Sequence, residues 1–218
     1  MQDYNYFVPT RLVFGKGKIE ELPKYISNHG KKVLLTYGGG SIKRNGLYDR
    51  IKQLLKDYEV FELSGIEPNP KITSVRKGVE IVKQEKIDFI IAVGGGSVID
   101  CTKNIATGAY YDGDPWDLVL DPSKVKAALP IYAVLTLSAT GSEMDNFAVI
   151  SDMTKNEKWG TGSPSTVTRT FSAAVWAVRP PARATFTLLR VGFAVKSTLV
   201  TIVICEQSTH PCRVRPCP

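Results

Sequence analysis

The run Gly94-Gly-Gly-Ser-Val-Ile-Asp100 follows a strongly apolar stretch and opens a helical one, and its chemistry is that of an anion cradle. Glycines at the carboxyl end of a strand let backbone N–H groups approach a phosphate closely, and a helix starting there turns its positive end to the same place. Gly94, Gly95, Gly96 and Ser97 are the candidate contacts, with the Ser97 hydroxyl as an added donor. The spacing is neither the six-residue glycine fingerprint of a Rossmann turn nor the Gly-Lys-Ser/Thr of a P-loop. A tight turn without a ligand therefore stands as the alternative.

Two further segments share this character. Gly38-Gly-Gly-Ser41 ends an earlier apolar run in the same way and is followed by Lys43 and Arg44. Two glycine-rich strand ends suggest a dinucleotide lying across a sheet edge. No carboxylate stands between Glu21 and Asp49. An acid in this region commonly binds a ribose 2′-OH and basic residues accommodate a 2′-phosphate, so the expectation is that NADP is tolerated, with room for a preference over NAD. Solvated helix-start charges are the plainer account of the two cations. Thr136-Leu-Ser-Ala-Thr-Gly-Ser-Glu143 offers four hydroxyls beside a glycine, enough for a second phosphate or ribose cradle, although such clusters also serve as plain loops or helix caps.

The elements that must position these loops alternate. Val33 to Tyr37 reads as a strand, Leu47, Ile51, Leu54 and Leu55 recur at helical spacing, and Val60 to Leu63 reads as a strand. After the turn Glu67-Pro-Asn-Pro70 come Val75, Val79 and Val82 on one helical face, then the strand Phe89 to Val93 and a helix expected from near Val98. Pro130 to Leu135 and a short stretch around Ala148 to Ile150 complete the set. Strands separated by helices predict a doubly wound α/β domain whose parallel sheet is covered on both faces.

Composition divides the chain. Residues 165–218 hold seven of the 28 basic residues and one of the 21 acids, a net +6 that leaves +1 for residues 1–164. The overall +7 is thus a property of the tail, and it does not make the whole protein a partner for nucleic acid. Near Pro164 glycines and acids thin out, and Arg, Pro, Thr, Val and Ala accumulate without a period of two or 3.6. This predicts a dinucleotide-binding domain over residues 1–164 and an anomalous basic tail over 165–218, read as non-native or out of frame. In the body Cys101 stands alone, and no basic, apolar leader opens the chain, which predicts a cytoplasmic protein without a membrane span.

Taken together and in order, Tyr37-Gly-Gly-Gly-Ser-Ile-Lys, Gly65-Ile-Glu-Pro-Asn-Pro, Gly94-Gly-Gly-Ser-Val-Ile-Asp and Ala139-Thr-Gly-Ser-Glu closely resemble the N-terminal domain of iron-containing alcohol dehydrogenases, the butanol dehydrogenase branch in particular. The resemblance runs over residues 7–164. It implies a Rossmann-like nucleotide-binding domain and hydride transfer between NAD(P)H and a small alcohol or aldehyde such as butanol or butanal. It also implies roles by position. Gly38, Gly39 and Ser41 lie near the adenosine ribose with Asn69 close to the cofactor, and Gly94 to Ser97 with Asp100 lie at the pyrophosphate. Thr136, Leu137 and Thr140 follow the nicotinamide half, and Lys158 stands near its ribose.

The same resemblance implies a homo-oligomer, and an iron or zinc ion held by one Asp and three His of an all-α C-terminal domain. The metal polarises the bound alcohol so that its alkoxide passes a hydride to the nicotinamide. This chain has two histidines, His29 and His210, which cannot supply three ligands. His29 falls outside any ligand position of the family and is read as a surface residue. Cys205, His210, Cys212 and Cys217 match no usual zinc spacing. The expectation is a chain that binds cofactor and lacks the metal site, with no catalytic residue of its own. A nucleotide-binding module whose basic tail contacts nucleic acid or an anionic surface is the alternative, disfavoured by scattered arginines without interleaved aromatics.

Overall fold

A computed structural model describes residues 10–163 and the strand at 199–203. In chain order the elements are β1 (Thr10–Phe14), α1 (Leu22–Ile26), β2 (Lys32–Tyr37), α2 (Ser41–Arg44), α3 (Leu47–Leu54), β3 (Glu59–Leu63), α4 (Ile72–Glu85), β4 (Phe89–Gly94), α5 (Gly96–Gly108), α6 (Pro115–Leu120), β5 (Ile131–Leu135), β6 (Phe147–Asp152), β7 (Glu157–Gly162) and β8 (Leu199–Val203). Six of the strands form one parallel sheet in the order β1-β8-β5-β4-β2-β3, while β6 and β7 pair as a separate antiparallel hairpin.

The apolar runs of the inner strands are continuous because both sheet faces are covered. Val33 and Leu35 of β2, with Phe89, Ile91 and Val93 of β4, point to one face and pack on Leu22 and Ile26 of α1 and Ile51 of α3. Leu34, Ile90 and Ala92 point to the other, where Ile72, Val75 and Val79 of α4 and Ile99 and Ile105 of α5 close over them. That alternation is the period of two of a strand read twice, once into each layer. Parallel neighbours then need crossover helices, which accounts for the βαβ grammar.

Helix α5 is buried from Val98 to Gly108, polar residues included, because the sheet lies on one side and the β6–β7 hairpin on the other. Its polar side chains are accordingly bonded. The Thr36 and Thr102 hydroxyls lie 2.6 Å apart, tying β2 to α5, and Lys103 donates to Asp145 at 2.9 Å and to the Phe147 carbonyl at 2.6 Å.

Three sequence expectations change in detail. Helix α5 opens at Gly96 rather than near Val98, since extended Gly95 caps it and its carbonyl accepts from the Val98 and Ile99 amides. His29 is half-buried rather than a surface residue: its ring meets Tyr132 edge-on at 5.6 Å and lies 6.2 Å from Phe89, and the desolvation lowers its pKa. In the tail, whose sequence carries no period of two or 3.6, Leu199–Val203 forms a strand between β1 and β5. A β-branched run in an interior parallel position needs no alternation to be a strand. The rest of the tail expectation, including Cys205, His210, Cys212 and Cys217, falls outside the described residues.

Candidate cofactor site

From β2 the chain steps outward to β3, then crosses back past β2 to β4 and on to β5. The topological switch point therefore lies between β2 and β4, and open α/β sheets bind ligands just beyond the carboxyl ends of strands at such a point. Tyr37 is paired with Val93 and Gly94 with Leu135, so the segments beginning at Gly38, Gly94 and Thr136 leave the sheet side by side. Parallel pairing thus gathers at one rim the three loops that the sequence singles out.

The loops interlock. The Thr136 amide donates to the Gly94 carbonyl at 3.0 Å, and the Gly65 and Ile66 amides donate at 3.2 Å to Gly38 and Tyr37. Thr140 and Ser142, whose hydroxyls lie 2.8 Å apart, sit over the start of α5, so that a Cβ on Gly96 would strike the Thr140 hydroxyl and come within 3.2 Å of that of Ser142. The two hydroxyl side chains pressed onto this turn are the physical reason for glycine here. Gly94 is bare for another reason, since a Cβ there would stand 2.5 Å from a methyl of buried Val98.

Gly39 and Gly95 differ from these. A Cβ on Gly39 would meet nothing within 4 Å, and one on Gly95 only ordinary contacts with Leu137. Packing does not require glycine at either position, and both border the rim. Gly95 also offers no side chain to cap α5, which leaves its first N–H groups for an anion. Ser97 is half-buried in that first turn, Leu137 is 62 % exposed, and Ser41 is exposed at the start of α2.

Asn69 and Lys158, 89 residues apart, are joined directly: the Lys158 ammonium donates to Asn69 Oδ1 at 2.7 Å. The Ser151 amide donates to the Pro70 carbonyl at 2.9 Å, docking the hairpin on the Asn69 turn. Asp100 points instead to the hairpin, where its Oδ2 accepts from the Val149 amide at 3.0 Å and its Oδ1 is buried without a hydrogen-bond partner among the described residues. Burial raises its pKa against the help of that amide and of Lys103.

One carboxylate escaped the sequence reading. Glu62 of β3 is paired with Leu35 of β2 and receives hydrogen bonds from Tyr37 and Tyr48, each at 2.7 Å, and from Lys52 at 3.2 Å. Burial opposes its ionisation, but the three donors outweigh it and hold the carboxyl below its usual range. The Tyr48 phenol is correspondingly pushed up to about 12, chiefly by its bond to Glu62. No motif in the sequence marks this cluster, because β2–β3 pairing brings residue 62 beside residue 37 and the docking of α3 brings residue 48 to both.

Among the described residues no group of three or more His, Cys, Asp and Glu could hold a metal ion, and no helix is long and apolar enough to cross a membrane. His29 lies at the amino ends of β2, β4 and β5, away from the loops.

Comparison with known proteins agrees with this fold. The model of the iron-containing alcohol dehydrogenase family matches residues 9–171. The chain is 57% identical over 164 residues to NADH-dependent butanol dehydrogenase A of Clostridium acetobutylicum, an alignment covering 74% of the chain and 42% of that protein. It is 46% identical over 161 residues to the NADPH-dependent aldehyde reductase YqhD of Escherichia coli, covering 72% of the chain and 41% of that protein. The crystal structure of NADH-dependent butanol dehydrogenase A from Thermotoga maritima superposes with a TM-score of 0.74 at 44% identity, covering 80% of the chain and 44% of that structure. The chain thus spans less than half the length of these relatives. With its glycine turns at the switch point of a doubly wound sheet and a family match across most of its length, the chain belongs to the iron-containing alcohol dehydrogenases.

Proposed function

We propose that residues 1–164 form the cofactor half of an oxidoreductase that passes a hydride between a nicotinamide dinucleotide and a small alcohol or aldehyde, with butanol and butanal as the model pair. The observation that carries this reading is the convergence of two Gly-Gly-Gly-Ser turns on one switch point, with glycines at 39 and 95 that packing does not demand. On this reading Gly38, Gly39 and Ser41 receive the adenosine ribose, and Gly94, Gly95, Gly96 and Ser97 receive the pyrophosphate. Thr136, Leu137 and Thr140 border the nicotinamide, and the Lys158–Asn69 pair stands at its ribose. Asp100 acts at the pyrophosphate through the hairpin it anchors rather than by direct contact, since its free oxygen is buried.

The metal that supplies Lewis-acid activation in this family finds no fit among the described residues. The histidine among the described residues is packed on Phe89 and Tyr132 at the far end of the strands. No catalytic step is therefore assigned to this chain, which we take to bind cofactor without oxidising alcohol, and we read residues 165–218 as a tail foreign to the all-α domain the family carries. The cofactor is NAD or NADP, the setting cytoplasmic, and the intact enzyme a homo-oligomer.

Titration of the full chain with NADH and NADPH, followed by reduced-cofactor fluorescence, tests the reading. Saturable binding of at least one below about 1 mM, the upper end of ordinary enzyme affinities, is expected, together with no alcohol-dependent reduction of NAD or NADP. Absence of saturation with both would refute it.

A further inference from the structure

Beside the Gly38 turn the ammonium of Lys43 lies 4.7 Å from the ring centre of Tyr48 and 5.3 Å from that of Tyr37. Both rings are themselves fixed, because their hydroxyls donate to the two oxygens of Glu62. Glu62 also takes Lys52, so the carboxylate that strand pairing brings here is held by three donors within its own cluster. Lys43 makes no ion pair with a carboxylate among the described residues. Its charge is held over two aromatic faces, and next to it the bare Gly39 leaves open space.

We infer that Lys43, seated on the Tyr37–Tyr48 platform that Glu62 braces, is the residue that reads a phosphate on the 2′-oxygen of the cofactor's adenosine ribose and so admits NADPH. The inference rests on the dinucleotide reading above and goes further, in naming the residue that separates the two cofactors. Arg44 flanks the same turn, with a guanidinium nitrogen 3.9 Å from where a Gly40 Cβ would stand, but no ring fixes it there in the way the tyrosines fix Lys43. A point charge whose flexible stem is held over two rings suits one added phosphate, and it makes no demand on a cofactor that lacks it. Tyr48 and Glu62 are positioning residues in this scheme.

The test is titration of the full chain and of Lys43→Met and Lys43→Arg with NADPH and with NADH at fixed salt. Lys43 is exposed, so neither substitution threatens the fold. Loss of one charge-assisted contact predicts NADPH binding roughly tenfold weaker in Lys43→Met, NADH binding within about twofold of the parent, and NADPH affinity restored in Lys43→Arg. Tyr48→Phe, which keeps the ring and frees it from Glu62, should weaken NADPH by a smaller factor and again spare NADH. Equal loss of both cofactors, or unchanged NADPH binding in Lys43→Met, overturns the inference while leaving the dinucleotide reading standing. A parent chain that binds neither cofactor overturns both.

Discussion

Gly94 and Gly95 are neighbours in sequence with opposite reasons for being glycine, and exchanging each for alanine separates folding from binding. At Gly94 the new Cβ would stand 2.5 Å from the Val98 Cγ2 and 2.9 Å from its Cβ. Carbon atoms rest near about 3.5 Å or more, so Val98, which is 6 % exposed, must retreat by about 1 Å into a filled core. Overpacking of this kind costs about 1–3 kcal/mol. For a domain of this size that corresponds to roughly 3–10 °C in Tm.

At Gly95 the backbone is extended (φ −90°, ψ −168°), and the new methyl would find Leu137 Cβ at 3.5 Å, an ordinary contact. Its cost to the fold is at most about 1 kcal/mol, from the poorer helix cap. The same methyl would hold a phosphate away from the first N–H groups of α5. Charge-assisted bonds of this type are worth about 1.5–3 kcal/mol, so NAD(P)H affinity should fall roughly tenfold to a hundredfold. Thermal denaturation by circular dichroism and cofactor fluorescence titration on the same samples read the two effects separately. A Gly95→Ala chain with parental affinity for both cofactors would refute the assignment of the pyrophosphate to this turn, and a Gly94→Ala chain with parental Tm would refute the packing argument.

Asp114 caps α6 through the Trp116 amide and holds Arg76 of α4 in a two-pronged bond at 3.0 and 2.7 Å. That bond to Arg76 lowers its carboxyl pKa, so its stabilisation is present above the unfolded value and is lost as pH falls through the folded one. Asp114→Ala should cost about 1 kcal/mol at neutral pH, mostly from the cap because the ion pair is exposed, and should flatten the acid limb of a urea-midpoint profile. An unchanged acid limb would count against the clamp. Asp100 has the opposite sign. Its raised pKa, caused first by burial, makes its contribution greatest below the unfolded value and erodes it as pH rises through the folded one. Asp100→Asn, which can still accept from Val149, should remove that decline without lowering stability at pH 7, and a midpoint that still falls on the alkaline side as in the parent would exclude Asp100 as its source.

The sequence by itself determined the elements and the loops with chemical promise. Apolar runs such as Phe89–Gly94 can be nothing but interior strands in a chain that alternates them with helices, and glycine runs at their ends mark the turns. Asn69 and Lys158 are legible only as members of a family pattern, because nothing local in the chain says that residues 69 and 158 meet, whereas the Thr140 and Ser142 hydroxyls show in the sequence as a cluster beside a glycine. The carboxylate of Glu62 was invisible in a reading that sought acids between residues 21 and 49. It reaches the site sideways, across the β2–β3 ladder, and side-by-side pairing has no period along the chain. Asp100 shows the same division from the other side. Its place one turn into α5 was plain, yet whether it faces a phosphate or the Val149 amide depends on the hairpin that packs against that helix, and long-range packing alone decides it.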